Sequence, residues 1–321
     1  MDRFWKDAAI AVFVGLVLPG IALNYAAMVL ADGQQQEAEQ GIADIQVISS
    51  GEMLTLITQE GVRELSMEEY LVGVLLAEMP ASFHIEALKA QSVVARTYAR
   101  KVSDAGAKHG VGILCADPAC CQGYQTPEAY LSRGGTQEHV DKMYQAVSAT
   151  SDEALYYDGG LIEATYFSCS GGETEAAVAV WGTDFPYLQS VASPGEEAAA
   201  YYRDTVSFLP SEFAQKLGIT PSGRASSWLG PVTYTEGGGV ATMEIGGKGF
   251  TGTEIRSRLG LRSTAMTISA SDTQITVTTR GYGHRVGMSQ YGADAMACAG
   301  SNYADILAWY YPGTQIQPPV G

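Results

Sequence analysis

The chain has 321 residues and a formal net charge of −16 at pH 7, from 19 Lys and Arg against 35 Asp and Glu. This acidity argues against a nucleic-acid binder, because neutralising phosphates requires a surplus of Lys and Arg. Intrinsic disorder is also disfavoured, since hydrophobic residues make up 46% and charged residues only 17% of the chain. The length is enough for one large core or two medium ones, at roughly 100–200 residues per domain.

The first hydrophobic segment predicts export across a membrane. No charged residue occurs at positions 8–31, and a bilayer core needs about 20 apolar residues in a helix. A cleaved signal peptide is the alternative, although its apolar region usually has only about 7–15 residues. We therefore predict a short cytoplasmic end at residues 1–7, a single-pass anchor in the cell membrane, and an extracytoplasmic remainder.

The exported part is predicted to begin with a linker and to continue as an α+β fold with mixed sheets. Residues 32–44 are rich in Gln and Glu and show no core pattern, which is typical of a linker. Beyond them, short β runs and a few helices follow one another without regular alternation. An Asp-Gly-Gly turn between residues 155–157 and 161–167 predicts a hairpin. Other predicted strands cover residues 45–49, 54–58, 240–245, 265–269 and 274–278.

The clearest predicted helix begins at Ser66, where Ser66 and Glu69 form a capping box. Pro80 disfavours the helical conformation at Met79, so the helix should end at Glu78. A carboxylate in the last turn faces the negative end of the helix dipole, and apolar neighbours raise its pKa further. Glu78 is therefore a candidate general acid, with a partly exposed Glu of no special role as the alternative.

A second helix is predicted from about residue 84 to residue 103, with an apolar stripe at helical spacing. The two helices would form a catalytic helix pair if Glu78 is the acid. Arg96 lies on another face of the second helix. It is either a solvated surface charge or a contact for an anionic substituent on a sugar.

Three cysteines and a histidine close together in sequence predict a metal site. His109, Cys115, Cys120 and Cys121 offer the thiolate and imidazole donors that suit tetrahedral zinc. Disulfides among the cysteines, or buried free thiols, are the alternatives. Adjacent cysteines share one ion only with strain, so Cys120 is the least secure ligand, and a water or another His is a possible replacement.

Ordered sequence blocks along residues 45–315 resemble the stage II sporulation protein D family, also called the SpoIID/LytB domain. The longest block is LVGVLLAEMPASFHIEALKAQSVVARTYAR. The others, in chain order, are CADPACCQGY, TYFSCSGGETE, VWGTDFPYLQSV, TGTEIRSRLGLRST, GYGHRVGMSQYGA and DILAWYYPGT. The resemblance implies one catalytic domain over residues 45–315, followed by a tail at 316–321.

The resemblance implies a lytic transglycosylase that cuts the glycan strands of peptidoglycan. Its catalytic acid would be the Glu of the Glu-Met-Pro block, which is Glu78 here. This Glu would protonate the glycosidic oxygen between N-acetylmuramic acid and N-acetylglucosamine. It would then deprotonate the muramic O6 hydroxyl, which closes a 1,6-anhydro ring.

The resemblance also implies a cofactor and partners. Clostridial-type members carry zinc on His and Cys ligands in the block that contains Cys120 and Cys121. They commonly have His-Cys at these two positions, so the fourth ligand stays open. The implied partners are an amidase-endopeptidase of the stage II sporulation protein P type and other membrane proteins of forespore engulfment.

The substrate groove is expected to lie between two loops, SCSGGE at residues 168–173 and GYGHRVG at residues 281–287. Ser170, His284 and Gln290 are therefore candidate substrate contacts, beside Arg96. The glycines of the second loop follow GxGxxxG spacing, which does not match a dinucleotide-binding loop.

Two other functions compete with the transglycosylase. The first is a non-enzymatic amidase enhancer, which binds the wall and activates an autolysin. The second is a cysteine hydrolase with Cys169 as nucleophile and His284 as base. Cys169 could instead form a disulfide with Cys298.

Overall fold

The computed structural model describes residues 51–106 and 108–318. The predicted anchor, the linker and the strand at residues 45–49 lie outside these residues. No helix within the described residues is both long enough and apolar enough to cross a membrane.

Helices alternate irregularly with small sheets of two or three strands, which confirms the prediction of a mixed α+β fold. The helices are α1 (Met67–Glu78), α2 (Ile85–Ala105), α3 (Pro127–Ser132), α4 (Gln137–Ser148), α5 (Ala177–Trp181), α6 (Pro210–Leu217), α7 (Gly252–Leu259), α8 (Gln290–Cys298) and α9 (Tyr303–Tyr310). A 3₁₀ turn covers Ala225–Ser227. The strands are β1 (Met53–Thr58), β2 (Gly61–Ser66), β3 (Ile113–Cys115), β4 (Ala154–Tyr157), β5 (Gly160–Leu161), β6 (Tyr166–Phe167), β7 (Arg203–Phe208), β8 (Leu229–Tyr234), β9 (Val240–Ile245), β10 (Lys248–Thr251), β11 (Met266–Ala270), β12 (Ile275–Arg280), β13 (Met288–Ser289) and β14 (Gln315–Gln317).

The ends of α1 are where the sequence predicts them. The Ser66 hydroxyl accepts from the Glu69 backbone N–H at 3.3 Å, and the Glu69 carboxylate accepts from the Ser66 N–H at 2.8 Å. Met79 caps the other end in an extended conformation, φ −120° and ψ 135°, directly before Pro80. The helix therefore presents Glu78 at a fixed end.

Helix α2 is the centre of the larger core. It packs against α1, α4, α8 and α9. Apolar side chains such as Leu71, Leu75 and Leu88 are fully buried in this core. Because most of α1 is buried in this core, its packing fixes the position of the C-terminal end that carries Glu78.

The predicted hairpin around residues 158–160 is present, but its second strand is shorter than expected. Tyr157 pairs with Gly160, and β5 ends at Leu161. The remainder of the predicted strand separates as β6, which pairs in parallel with β13. This long-range pairing brings the GYGHRVG loop next to the segment that enters the SCSGGE loop.

A second core lies between the β11–β12–β7 sheet, the β10–β9–β8 sheet, α6 and α7. Its buried centre includes Phe213, Ile245, Ile255 and Val277. The strand predicted at 240–245 is confirmed, and the two that follow it are shifted toward the C-terminus. Strand β14 pairs with β4, so the sheet continues past residue 315 into the predicted tail.

Candidate active site

Glu78, the last residue of α1, is held by the loop that follows β3. Its Oε1 accepts a hydrogen bond of 2.7 Å from the backbone N–H of Gly123. Burial raises the pKa of Glu78 and outweighs the hydrogen bonds from Gly123 and Tyr166, which favour the carboxylate. The result is a carboxyl group that stays protonated to higher pH than an exposed Glu, as a general acid requires.

A chain of side-chain hydrogen bonds fixes the hydroxyl that contacts Glu78. The Tyr70 hydroxyl donates to the Gln122 Oε1 at 3.1 Å, and the Gln122 Nε2 donates to the Tyr166 Oη at 3.1 Å. With its oxygen accepting from Gln122, Tyr166 directs its own proton to the Glu78 carboxyl. The orientation of the acid therefore depends on α1, β6 and the loop after β3 together.

Glu78 opens into a cleft of about 770 Å³, here called the main cleft. Aromatic side chains from several loops form much of its wall. The residues that matter for its chemistry are Glu78, Tyr166, Ser168, Trp181, Tyr282, His284 and Gln290. Among the described residues, no second carboxylate lines this cleft.

A second cleft of about 610 Å³ meets the main cleft at Glu78 and Pro118. Glu60, Arg63 and Tyr124 line it. Glu78 thus lies where two depressions join, with room for a chain molecule on either side of its carboxyl group. We call the two clefts together the groove.

His284 lines the main cleft as a neutral ring. Burial, and secondarily the charge of Arg256, lowers the pKa of His284 to about 4. Its Nδ1 accepts from the Val286 backbone N–H at 3.1 Å, and its ring lies 5.3 Å from the Trp181 ring between centroids. This imidazole is therefore placed as part of the cleft wall and as a polar contact.

Gln290 begins α8 at the edge of the main cleft. The residue is only 6% exposed, yet its Nε2 has no hydrogen-bond partner among the described residues. A buried donor left unpaired costs about 1–3 kcal/mol. A ligand hydroxyl or carbonyl in the cleft would satisfy this donor.

The four predicted metal ligands converge beside the same cleft. Their ligand atoms all lie within 4.8 Å of one another, and the His109 Nε2 is 3.3 Å from the Cys120 Sγ. In a tetrahedral zinc site, sulfur ligands at about 2.3 Å from the metal lie roughly 3.8 Å apart. The donor set and its spacing therefore fit one metal ion, with Cys115 and Cys121 buried and His109 and Cys120 half-buried. All five cysteines are free thiols, so the predicted disulfide alternatives are wrong.

Sequence comparisons identify relatives that match most of this chain. The chain is 42% identical over 262 residues to stage II sporulation protein D of Bacillus subtilis, covering 80% of this chain and 76% of the relative. It is 39% identical to stage II sporulation protein D of Bacillus amyloliquefaciens, over 81% of this chain and 76% of the relative. A profile described as stage II sporulation protein matches residues 58–157.

The chain belongs to the stage II sporulation protein D family. It is also 30% identical to a Bacillus subtilis protein named amidase enhancer, over 77% of this chain but only 40% of that protein. The family match at residues 58–157 contains Glu78, Gly123 and all four residues of the His/Cys cluster.

Arg96 of this family member is not in the groove, contrary to the prediction from sequence. The residue is fully buried, and its guanidinium donates to the backbone carbonyls of Thr150 at 2.7 Å and Glu153 at 3.1 Å. Burial lowers the pKa of Arg96 to about 10, so it stays cationic at neutral pH. Since these carbonyls follow the C-terminal end of α4, Arg96 stabilises that helix end.

Ser170 is also fully buried and belongs to a cluster around Glu196 rather than to the wall of the groove. Its hydroxyl contacts both carboxylate oxygens of Glu196 at 3.0 Å, and the Cys169 Sγ donates to the same carboxylate at 3.0 Å. Burial and the Glu196 charge raise the pKa of Cys169 well above its usual value. The thiol is therefore unsuited as a nucleophile, and its partner is Glu196.

The GYGHRVG loop is anchored by a buried ion pair. The Arg285 Nη1 lies 3.1 Å from the Glu175 Oε1, and both side chains are 1% exposed. Arg285 also donates to the backbone carbonyls of Ser170, Glu173 and Gly237. These bonds hold Arg285 at φ 68° and fix the loop that carries His284.

Several residues that shape the site were not predicted from sequence. Gly123, Tyr166 and Trp181 reach the groove from three separate segments, Gly123 in the second cleft and the other two in the main cleft. The sequence does contain an indication that Gly123 belongs to the site, because this residue lies inside the CADPACCQGY block. A Cβ at this position would lie 2.7 Å from the Glu78 Oε1, so any other residue would displace the carboxyl group.

Proposed function

We propose that this protein is a lytic transglycosylase that cleaves peptidoglycan glycan strands with Glu78 as its single acid and base. The observation that carries the proposal is the position of Glu78. It is a half-buried carboxyl group of raised pKa at the junction of two clefts, and no second carboxylate among the described residues lines the main cleft.

The chemistry of one carboxyl group fits a ring closure better than hydrolysis. Retaining and inverting hydrolysis require two carboxylates about 5–9.5 Å apart. A protonated Glu78 can donate to the oxygen between N-acetylmuramic acid and N-acetylglucosamine. The carboxylate that forms is stabilised by the Gly123 N–H and the Tyr166 hydroxyl, and it can then take the proton of the muramic O6 hydroxyl. The product is a 1,6-anhydro ring.

The groove offers the contacts that a glycan strand needs. Trp181 and Tyr282 are 44% and 42% exposed, so each ring keeps open surface for contact with a sugar. The unpaired Nε2 of Gln290 and the neutral ring of His284 supply polar contacts in the same cleft. Space on both sides of Glu78 suits cleavage within a polymer.

Zinc is the ion that we assign to the cluster of His109, Cys115, Cys120 and Cys121. A closed Cys/His site supplies a structural cross-link. It would brace the loop that carries Gly123, since Gln122 alone separates Gly123 from Cys121.

We place this activity in sporulation, at the outer face of the cell membrane. The names of the two stage II sporulation protein D relatives support the sporulation context. The uncharged segment at residues 8–31 supports a membrane anchor. A stage II sporulation protein P-type amidase-endopeptidase, with other engulfment membrane proteins, would act on the same wall.

The 30% identity to the amidase enhancer supports a second candidate function. In that case the groove would bind the wall, and the protein would activate a separate amidase without cleaving the glycan itself. The two functions differ in their dependence on the Glu78 proton.

Replacing Glu78 by Gln separates the two candidates. Purified glycan strands are incubated with each variant, and 1,6-anhydro muropeptides are measured by mass spectrometry. We expect Glu78→Gln to lower their release by about 10²–10⁴-fold, the usual contribution of a general acid. Thermal unfolding verifies the fold.

Glu60→Gln is the matched control, because it removes the other carboxylate of the groove at an exposed position. It should keep nearly full activity. Anhydro products from Glu78→Gln at the wild-type rate contradict the transglycosylase. Wild-type protein that stimulates an amidase and releases no anhydro product favours the enhancer.

A further inference from the structure

A third depression, of about 620 Å³, adjoins the main cleft and shares Tyr282 with it. Its wall comes from α7 and the residues after it, together with two tyrosines. We call it the cationic cleft, because the side chains of Arg256 and Arg262 line it. It stands out on a chain whose net charge is −16.

Arg256 is a half-buried cation without a counter-charge in the protein. Its Nε donates weakly to the Leu261 carbonyl at 3.4 Å, and it forms no ion pair with any residue of the described ranges. By contrast, Arg258 on the same helix pairs with Glu254. Removing a charge from water without a partner is costly, so an unpaired cation in a cleft is a place for an anionic ligand.

Arg262 organises the other wall of the cationic cleft. It pairs with Asp204 at 3.2 Å, and its guanidinium lies 5.3 Å from the Tyr201 ring centroid and 5.9 Å from that of Tyr282. The two tyrosines remain 40% and 42% exposed. Exposed tyrosine rings beside the unpaired guanidinium of Arg256 suit a sugar that carries an acidic group.

We propose that the cationic cleft binds a carboxylate of the glycan substrate, with Arg256 as its ligand. The inference rests on the proposed function, because it assumes a strand that passes from Glu78 across Tyr282. The carboxylate belongs either to the lactyl group of a peptide-free muramyl residue or to a stem peptide. Binding there offsets, at one point, the repulsion between an acidic protein and an acidic polymer.

The test measures the affinity of the full chain, carrying Glu78→Gln to prevent turnover, for three hexasaccharides. These are a peptide-free muramyl oligomer, a peptide-bearing muramyl oligomer, and neutral chitohexaose. Arg256→Gln should weaken binding of one acidic oligomer about 10-fold or more, as expected for the loss of a charged hydrogen bond. The acidic oligomer that responds identifies the source of the carboxylate.

Two variants and the neutral ligand keep the result interpretable. Arg256→Lys should retain part of the preference, because it keeps the charge. Arg224→Gln removes an equal charge from a side chain that is 84% exposed and lies outside the cleft. This variant should bind all three hexasaccharides with unchanged affinity. Unchanged affinity for chitohexaose establishes that Arg256→Gln still folds.

Equal losses for all three ligands, or no loss for either acidic oligomer, would overturn the inference. The proposed function fails in a different assay, namely the absence of anhydro products from protein with Glu78 intact. A binding preference that depends on Arg256 can therefore be found even if the cleavage chemistry is wrong.

Discussion

The backbone N–H of Gly123 lies 2.7 Å from the Oε1 of Glu78, although the two residues are 45 positions apart in the chain. This contact joins the last turn of α1 to the loop that carries Cys120 and Cys121. The candidate acid and the candidate metal site are therefore parts of one structure. A change in the loop is expected to reach the carboxyl group through this hydrogen bond.

Gly123→Ala should impair catalysis without unfolding the protein. The added Cβ would lie 2.7 Å from the Glu78 Oε1 and would displace the carboxyl group. Misplacing a catalytic group by about 1 Å can cost roughly 10²-fold in rate, and we expect a loss of that order in anhydro product formation. Gly249→Ala is the control, because a Cβ there meets no atom within 4 Å. Equal activity of the two variants would contradict the positioning role of Gly123.

The pH dependence of kcat/KM should report the proton on Glu78. The acid must be protonated to donate, so activity should decline as pH rises through a pKa that lies above the ordinary value of 4.5. The Tyr166 hydroxyl lowers that pKa by stabilising the carboxylate. Tyr166→Phe should therefore move the alkaline limb to higher pH.

Tyr234→Phe, at an exposed position in β8, is the control for the pH profile and should leave it unchanged. A Tyr166→Phe profile that moves to lower pH would contradict the assigned hydrogen bond.

Glu78 should also make stability depend on pH. Because its folded pKa is above its unfolded value, the folded state holds this proton more tightly. The stability that it contributes is complete below the unfolded pKa and is lost as pH rises through the folded pKa. Glu78→Gln does not titrate, so its free energy of unfolding should rise relative to that of the wild type as pH increases from the ordinary pKa of 4.5 through the folded pKa. Urea unfolding at several pH values measures the difference, and a constant difference would contradict the raised pKa.

Loss of one cluster ligand should remove the metal and lower stability. A ligand present at 100 times its dissociation constant stabilises by about 2.7 kcal/mol, which corresponds to a melting temperature roughly 5 °C higher in a domain of this size. The Cys121→Ser substitution and chelator treatment should each lower the stability and the melting temperature by about these amounts. Elemental analysis measures the bound zinc. Cys298→Ser changes an exposed thiol outside the cluster and should keep both metal and melting temperature. If both variants bound equal amounts of zinc, the cluster would be ruled out as the metal site.

The sequence by itself determined the local features of this protein. The capping box at Ser66 and Glu69 and the stop before Pro80 fix both ends of α1, because they depend on neighbouring residues alone. The close spacing of the His/Cys residues likewise predicted their cluster. The ordered blocks identified the family, which the comparisons confirmed.

Only the tertiary structure decided which polar residues face the groove. Helical spacing could place Arg96 on a separate face of α2, but it could not reveal that α4 packs against α2 and that the residues after α4 supply carbonyl partners. Ser170 is likewise buried by Glu196, which lies 26 positions away in the chain. Gly123 and Tyr166 reach Glu78 through pairings between distant segments. Such contacts depend on how whole elements pack, and local sequence patterns carry no information on that packing.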